Sequence, residues 1–286
     1  MFPWFIQVDF FSFRVQNRHM SAKVKSSKSI QQFLVPVLVI VAIGLAFLSG
    51  TLLQKVKNYE KDGGVGTTTK ENTQAEPSVS LDTIKGLFDK DLIKFGDVNR
   101  KILFVEIADP SCPYCAAADG KNHSIYTSIG ENFRLIADGG QYVAPGPEMK
   151  KLVDSGQASY VYIYYPGHGN GEMGMKALYC ANEKGKFWEA HDLIMSDAGY
   201  TLVNTTVKND KTKSGTVADF LGSVIDPGFM KSCLDSGKYD ERLQSDQSLA
   251  TSLGFKGTPT FYINATSFPG AYNYTDMKSA VDSALQ

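Results

Sequence analysis

The stretch Lys101–Asp119 (KILFVEIADPSCPYCAAAD) decides the fold. Its first seven residues form a short apolar run, which is typical of a strand buried on both faces of a sheet. Asp109, Pro110 and Ser111 end this run, and the residues after Cys112 favour a helix. The stretch therefore predicts a strand, a tight connection and a helix with a Cys-x-x-Cys motif in its first turn.

The motif Cys112-Pro113-Tyr114-Cys115 predicts thiol–disulfide exchange. Residues three apart on a helix lie about 5–6 Å from each other on one face, which suits a disulfide that opens and closes. A helix N-terminus favours a thiolate and lowers the pKa of the first cysteine, and Pro113 suits the first turn. We expect Cys112 to attack a disulfide and Cys115 to resolve the mixed disulfide, with this redox pair in place of any bound cofactor.

Zinc binding or a static bridge is the alternative for such a motif. A zinc site needs about four ligands, commonly a second close pair. Here Cys180 and Cys233 stand alone, and no two histidines have ligand spacing. No metal site is therefore predicted. Cys180 and Cys233 flank a helical block, and we expect a second, structural disulfide between them, with two buried free thiols as the alternative.

A second motif lies further along the chain, at Gly257–Phe261 (GTPTF). A proline that opens an apolar strand would interrupt an interior hydrogen-bond ladder. It fits if the Thr258–Pro259 bond is cis and the turn faces the active site, whereas the alternative is an ordinary trans proline in a loop.

The remaining periodicity predicts an α/β fold from residue 80 onward. Apolar residues from Ile84 to Ile93 suggest a helix or turn at the entrance, and the whole stretch 113–129 favours helix. Further elements are predicted as helices at 147–152, 175–183, 186–195, 217–225, 229–234, 240–253 and 276–285, and as strands at 160–165, 258–263 and near 267–268. This order gives strand, helix, strand, a helical block at about 170–250, two strands and a closing helix.

The N-terminal part predicts a membrane anchor. Residues 33–53 are uncharged and long enough to cross a bilayer of about 30 Å as a helix. Basic residues dominate the segment 1–32, so the N-terminus is expected in the cytoplasm and the catalytic domain outside, with a single pass through the cell membrane. Residues 54–79 are polar and rich in Gly and Thr, as in a flexible linker. A cleaved signal peptide is the alternative to this signal-anchor, and translation could start at Met20 instead of Met1.

Charge excludes one class of partner. Lys and Arg number 29 and Asp and Glu 30, for a net charge of −1. This balance gives no electrostatic support for binding nucleic acid. His168 and His191 are expected to be structural or solvent-facing.

Three segments resemble the DsbA-type thiol–disulfide oxidoreductases: FVEIADPSCPYC at 104–115, GKFWEAHDLIM at 185–195 and LGFKGTPTFYIN at 253–264. The resemblance covers roughly residues 82–286 and implies a thioredoxin fold with a helical insertion. It implies that Cys112 is the exposed nucleophile and Cys115 the buried partner. It also implies that Pro259 is the cis-proline, with Thr258 offering backbone hydrogen bonds to the substrate chain.

Two further features bear on the site. Glu106, six residues before Cys112, is where the family often has a buried acid that relays protons to the second cysteine; an exposed or salt-bridged Glu is the alternative. Tyr114 stands where the bacterial oxidase has a histidine that helps to hold the thiolate, which leaves the redox poise open.

The expected function is disulfide formation in exported proteins that carry cysteines. The expected re-oxidising partner is a membrane quinone-linked re-oxidase of the DsbB or VKOR type, and a monomer is expected because no dimerisation domain precedes the fold. The rivals are a reductase or isomerase of the same fold, a redox-inert thioredoxin-like binding or chaperone module, and metal delivery through the Cys-x-x-Cys motif.

Overall fold

The structure of the protein is a computed structural model that describes residues 79–286. The basic segment (1–32), the anchor (33–53) and all but the last residue of the linker (54–79) lie outside the described residues. Within residues 79–286, no helix combines the length and the apolar character needed to span a bilayer.

The described chain contains five strands and eleven α-helices. The strands are β1 Ile93–Phe95, β2 Ile102–Ala108, β3 Ala158–Tyr164, β4 Thr260–Ile263 and β5 Thr266–Pro269. The helices are α1 Leu81–Gly86, α2 Pro113–Asp119, α3 Tyr126–Ile129, α4 Pro145–Asp154, α5 Glu172–Asn182, α6 Phe187–Met195, α7 Asp197–Thr201, α8 Ser214–Phe220, α9 Pro227–Asp235, α10 Asp240–Ser252 and α11 Tyr274–Leu285.

All five strands form one mixed sheet in the order β1-β3-β2-β4-β5. The β2–β3 pair is parallel, and the other three pairs are antiparallel. In this register Glu106 of β2 pairs with Tyr162 of β3 on one side and with Phe261 of β4 on the other. Strand β2 is therefore the centre of the sheet, and its carboxyl end leads directly into the Cys-x-x-Cys motif.

The two faces of the sheet carry separate apolar cores. Leu103, Val105 and Ile107 pack on one face, whereas Phe104 and Ala108 lie on the other, in the core that also contains both motif cysteines. This alternation follows from the period of two in a strand, and both faces are apolar because helices cover both. Glu106 falls on the face of Phe104, so its carboxyl group points toward α2.

The predicted α/β class is confirmed: the fold is a thioredoxin-like mixed sheet with helices, and helices α5–α10 occupy the predicted helical block. Two expectations on single elements were wrong. The entrance helix ends at Gly86, and Ile93–Phe95 forms an edge strand along β3, because a three-residue strand carries too little periodicity to be recognised. The helix after Cys112 stops at Gly120, which adopts φ +71 and ends α2 as a left-handed cap.

Candidate active site

Asp109 organises the turn between β2 and α2. Its Oδ1 accepts hydrogen bonds from the Ser111 amide at 2.8 Å and the Ser111 hydroxyl at 2.7 Å. Its Oδ2 accepts the amide of His168 at 2.7 Å, and its carbonyl accepts the amide of Cys112 at 2.9 Å. The turn and the loop after β3 are thereby fixed to each other, which places Cys112 at the N-cap of α2.

Cys112 is bound to the loop that precedes β4. Its Sγ donates a hydrogen bond to the carbonyl oxygen of Thr258 at 3.2 Å. Hydrogen bonding from the Cys115 thiol lowers the pKa of Cys112 to about 6, against an opposing effect of burial, and hydrogen bonding from the Thr258 side chain lowers it as well. This thiol therefore ionises more readily than a free cysteine.

The resemblance implied an exposed Cys112, and this expectation was wrong for the structure described. The Cys112 side chain is fully buried, and the motif residue that reaches solvent is Tyr114, with 39% of its surface exposed. The Thr258 carbonyl lies against the sulfur, so this loop contributes to the burial of Cys112. Pro113 occupies the first helical position, where it needs no hydrogen-bond acceptor.

Cys115 lies one turn deeper and is fully buried. The amide of Asp109 donates to its Sγ at 3.5 Å. Burial raises the pKa of Cys115 well above its ordinary value, and the neighbouring Cys112 sulfur and Glu106 carboxylate raise it further. The two thiols thus differ in the direction expected of an attacking and a resolving cysteine.

The Thr258–Pro259 peptide bond is cis. The Pro259 carbonyl accepts the amide of Gly270 at 2.8 Å, which joins this turn to the end of β5. Gly167, in the loop after β3, approaches Thr258 so closely that a Cβ at this position would collide with Thr258 Oγ1. A glycine is required there by the close packing of two loops.

A groove of about 690 Å³ borders the pair, and its lining includes Tyr114, His168, Phe255 and Thr258. His168 was expected to be structural or solvent-facing, but it lines this groove, and its ring charge lowers the pKa of Cys112. Its position after β3 was the available signal, because β2 and β3 are parallel and their carboxyl ends meet at one edge of the sheet.

Glu106 lies beneath Cys115 and is 4% exposed. The hydroxyl of Tyr160 donates to its Oε2 at 2.5 Å. Burial raises the pKa of Glu106 to about 7, although His191 and the Tyr160 hydrogen bond act in the opposite direction. The acid is buried and hydrogen-bonded, and a carboxyl group with this pKa can both take up and release a proton near neutral pH.

Cys180 of α5 and Cys233 of α9 form a disulfide with a Cα–Cα distance of 6.1 Å. This bond joins two helices of the insertion and takes no part in the Cys112–Cys115 site. Within residues 79–286, neither motif cysteine belongs to a group of three or more potential metal ligands.

These features define a class of protein: a thioredoxin-like fold with a Cys-x-x-Cys pair at the N-terminus of α2 and a cis-proline turn beside it. Comparison with known proteins agrees. Residues 145–283 match the family model described as thioredoxin, and the Cys112–Cys115 pair lies just ahead of the matched range. The chain is 24% identical over 219 residues to a putative protein-disulfide oxidoreductase of Rickettsia bellii, which covers 76% of this chain and 73% of that protein.

The chain is also similar to an antiporter and to solved DsbA structures. A Na(+)/H(+) antiporter NhaA 3 of Salinispora tropica is 25% identical over 202 residues, which is 69% of this chain, and the chain spans only about a quarter of its length. Among solved structures, alpha-DsbA1 of Wolbachia pipientis is 17% identical, with a TM-score of 0.49, and the match covers 68% of this chain and 91% of that one. The resemblance to thioredoxin-fold protein-disulfide oxidoreductases is confirmed, and this enzyme class is the one that the Rickettsia relatives are named for.

Proposed function

We propose that this chain is a membrane-anchored thiol–disulfide oxidoreductase that forms disulfides in exported proteins through Cys112 and Cys115. The observation that carries the proposal is the difference between the two buried thiols: the pKa of Cys112 is lowered to about 6, and that of Cys115 is raised. A thiolate that is stable at neutral pH is both a good nucleophile and a good leaving group.

The exchange proceeds in two balanced steps. A client thiolate attacks Cys112 Sγ of the oxidised pair, which forms a mixed disulfide, breaks the Cys112–Cys115 bond and releases Cys115 as a thiolate that takes up one proton. A second client thiolate attacks the client sulfur of the mixed disulfide, and Cys112 leaves as a thiolate. Two electrons pass from the client dithiol to the pair, and the reverse sequence reduces a client disulfide.

The direction of transfer depends on how strongly the reduced pair is stabilised. At pH 7 a thiol with a pKa of about 6 is mostly ionised, which stabilises the reduced form by about 1.4 kcal/mol and raises the potential by about 30 mV. Strong protein oxidants and reducing thioredoxins differ by roughly 150 mV. The lowered pKa of Cys112 therefore favours disulfide formation, but it accounts for only about a fifth of the difference in reduction potential between strong oxidants and reducing thioredoxins.

The anchor and the partners complete the proposal. Residues 33–53 are proposed to hold the catalytic domain on the outer side of the cell membrane, with residues 54–79 as a tether and the N-terminus in the cytoplasm. The clients are exported proteins that contain cysteines. A membrane quinone-linked re-oxidase of the DsbB or VKOR type is proposed to restore the disulfide, and the protein is proposed to act as a monomer.

The deciding experiment is the reduction potential of the Cys112–Cys115 pair in the full-length protein, by equilibration with glutathione and thiol trapping. A potential of about −120 mV supports disulfide formation. A potential of about −270 mV would instead indicate a reductase or isomerase. The matched variants Cys112→Ser and Cys115→Ser test the exchange itself. Cys115→Ser should accumulate mixed disulfides with clients, Cys112→Ser should not, and unchanged function in Cys112→Ser would establish a redox-inert binding module instead.

A further inference from the structure

A cluster of buried polar side chains extends from Cys115 along α2, away from the Thr258 loop. Cys115 and Asp119 are four residues apart on α2 and share one face of that helix. Asp119 is 7% exposed, and its Oδ1 lies 3.1 Å from Nδ1 of His191 on α6. Cys115 lies at one end of this face, where the charge of Glu106 raises its pKa, and Asp119 at the other end pairs with a buried histidine.

His191 connects this pair to the sheet. It is 2% exposed, its ring stacks on Phe187 at 5.2 Å and meets Tyr162 edge-on at 5.4 Å. Tyr162 is the β3 residue paired with Glu106. The histidine therefore packs against the side chain next to Glu106, and the Glu106 carboxylate acts on its charge.

Several polar atoms in this group have no hydrogen-bond partner among the described residues. They are Tyr142 Oη, Tyr162 Oη, Asp119 Oδ2 and His191 Nε2, whereas His191 Nδ1 faces Asp119 Oδ1. Leaving a buried polar atom unpaired costs roughly 1–3 kcal/mol, so such a cluster in one place requires a function or a bound water. A proton path needs exactly such donors and acceptors in sequence, together with an outlet.

The outlet is a cavity of about 110 Å³ on the side of α2 and α6, lined by Asp119 and by Lys121, Trp188 and Asp192. Lys121 and Asp192 form an ion pair of 2.7 Å and are about 40% exposed, so the cavity reaches solvent. Asp119 both lines this cavity and pairs with His191. The groove lined by Tyr114 and Thr258 lies at the other end of α2, beside the sulfur that a client would engage.

We propose that His191 and Asp119 form the solvent end of the proton path that serves Glu106 and Cys115. When Cys115 leaves as a thiolate, it takes a proton from the Glu106 carboxyl group. Glu106 regains that proton from the His191 imidazolium, and His191 is reprotonated from solvent past Asp119. The sulfur atoms alone change oxidation state, and in the reverse direction the proton moves outward. This inference rests on the proposed disulfide exchange.

The charges around His191 suit this role. Burial lowers the pKa of His191, but Asp119 on α2, Glu106 on β2 and Asp192 on α6 raise it above its ordinary value. Tyr162, from β3, faces the ring as well. In turn the His191 charge lowers the pKa of Glu106, so the two groups are electrostatically coupled. His191 is a positioning and relay residue in this scheme and does not touch the client.

The test uses the full-length protein with His191→Gln and Asp119→Asn. His123→Gln is the matched control, because His123 also pairs with an aspartate (Asp138, 2.9 Å) but is exposed. Stopped-flow mixing of the oxidised protein with a peptide dithiol measures the release of Cys115 across pH. We expect roughly tenfold or more slowing and a changed pH profile in His191→Gln and Asp119→Asn, and neither effect in His123→Gln. Added imidazole should restore part of the rate in His191→Ala.

A packing role for His191 would slow exchange equally at every pH, without rescue by imidazole, and that result overturns the proposal. Unchanged kinetics in His191→Gln overturns it too. A measurement on the unaltered protein covers the case in which the variants fail to fold: in nitrogen-15 spectra the His191 ring proton should exchange rapidly with solvent, and a persistent, slowly exchanging signal contradicts the path. Loss of exchange in the unaltered protein would instead refute the proposed function.

Discussion

Sγ of Cys112 donates a hydrogen bond to the carbonyl oxygen of Thr258 at 3.2 Å, across 146 positions of sequence. The contact joins the two motifs that the sequence singled out. The Thr258 carbonyl accepts a hydrogen bond from the protonated thiol, so the buried sulfur keeps a polar partner. Under the proposed function, a client has to displace this loop to reach Cys112.

The first prediction concerns the ionisation of Cys112. Titration of the reduced full-length protein, followed by ultraviolet absorbance of the thiolate, should give a midpoint near about 6 instead of 9.0. Because the pKa of Cys112 is lower in the folded protein than in the unfolded chain, its ionisation stabilises the fold. This stabilisation is complete above the pKa of the unfolded state and is lost as pH falls toward the pKa of the folded state. The free energy of unfolding of the reduced protein, relative to the oxidised protein, should therefore rise between about pH 6 and pH 9. A midpoint near 9.0 would contradict the site geometry.

His168→Ala should raise the pKa of Cys112, because the ring charge of His168 is one of the influences that lower it. It is the smallest of these influences, so we expect a shift of roughly a few tenths of a unit. The rate of alkylation of Cys112 by iodoacetamide at mildly acid pH measures the shift. His123→Ala removes an exposed histidine elsewhere and should leave the rate unchanged.

Glu106→Gln tests the buried acid. In the folded protein the Glu106 pKa is raised from 4.5 to about 7, so the folded state keeps a proton that the unfolded chain releases, and stability falls as pH rises through this window. The oxidised Glu106→Gln variant should not show this loss. Between the lower and the upper end of this pH range, its free energy of unfolding should rise by about 3 kcal/mol relative to that of the parent. Urea unfolding on both sides of it measures the gain.

The control for this substitution is Glu131→Gln, since the Glu131 side chain is 74% exposed. It should show no pH-dependent difference from the parent. Glu106→Gln should also slow the release of Cys115 because the leaving thiolate has lost its proton donor. An unchanged rate would assign Glu106 to structure alone.

Gly167→Ala should disturb the cis-proline turn, because the added Cβ collides with Thr258 Oγ1. We expect weaker exchange with clients, measured by the rate of peptide oxidation. Thr258→Ala removes the colliding atom and keeps the carbonyl near Cys112, so the double variant should recover part of the activity, although it loses the side-chain hydrogen bond that lowers the pKa of Cys112. Gly86→Ala, at a glycine with open space around it, is the control. Full activity of Gly167→Ala would show that the two loops need not be in contact.

Cys180→Ala with Cys233→Ala should lower the free energy of unfolding and leave exchange intact. The disulfide spans 53 positions, and closing a loop of that size contributes about 4 kcal/mol in the chain-entropy model. Thermal or urea unfolding measures the loss. A parallel loss of exchange at temperatures where the variant is folded would tie the insertion to the active site.

The sequence by itself determined the redox motif, the strand and helix around it, and the α/β class, because each is encoded locally: buried strands are apolar, and Cys-x-x-Cys carries its own geometry. It also marked Glu106 and Pro259 as positions of interest. It did not reveal β1, a three-residue strand without a periodic pattern of its own, or the stop of α2 at Gly120.

Only the tertiary structure decided what surrounds the two cysteines. The burial of Cys112 depends on the loop near residue 258, and the charge beside its sulfur comes from His168. The proposed proton path from Glu106 to solvent depends on His191 and Asp119. These groups come from different parts of the chain, and the parallel β2–β3 pair and the packing of α2 on α6 bring them together. Electrostatic interactions depend on distance in space, so a local sequence pattern cannot specify them.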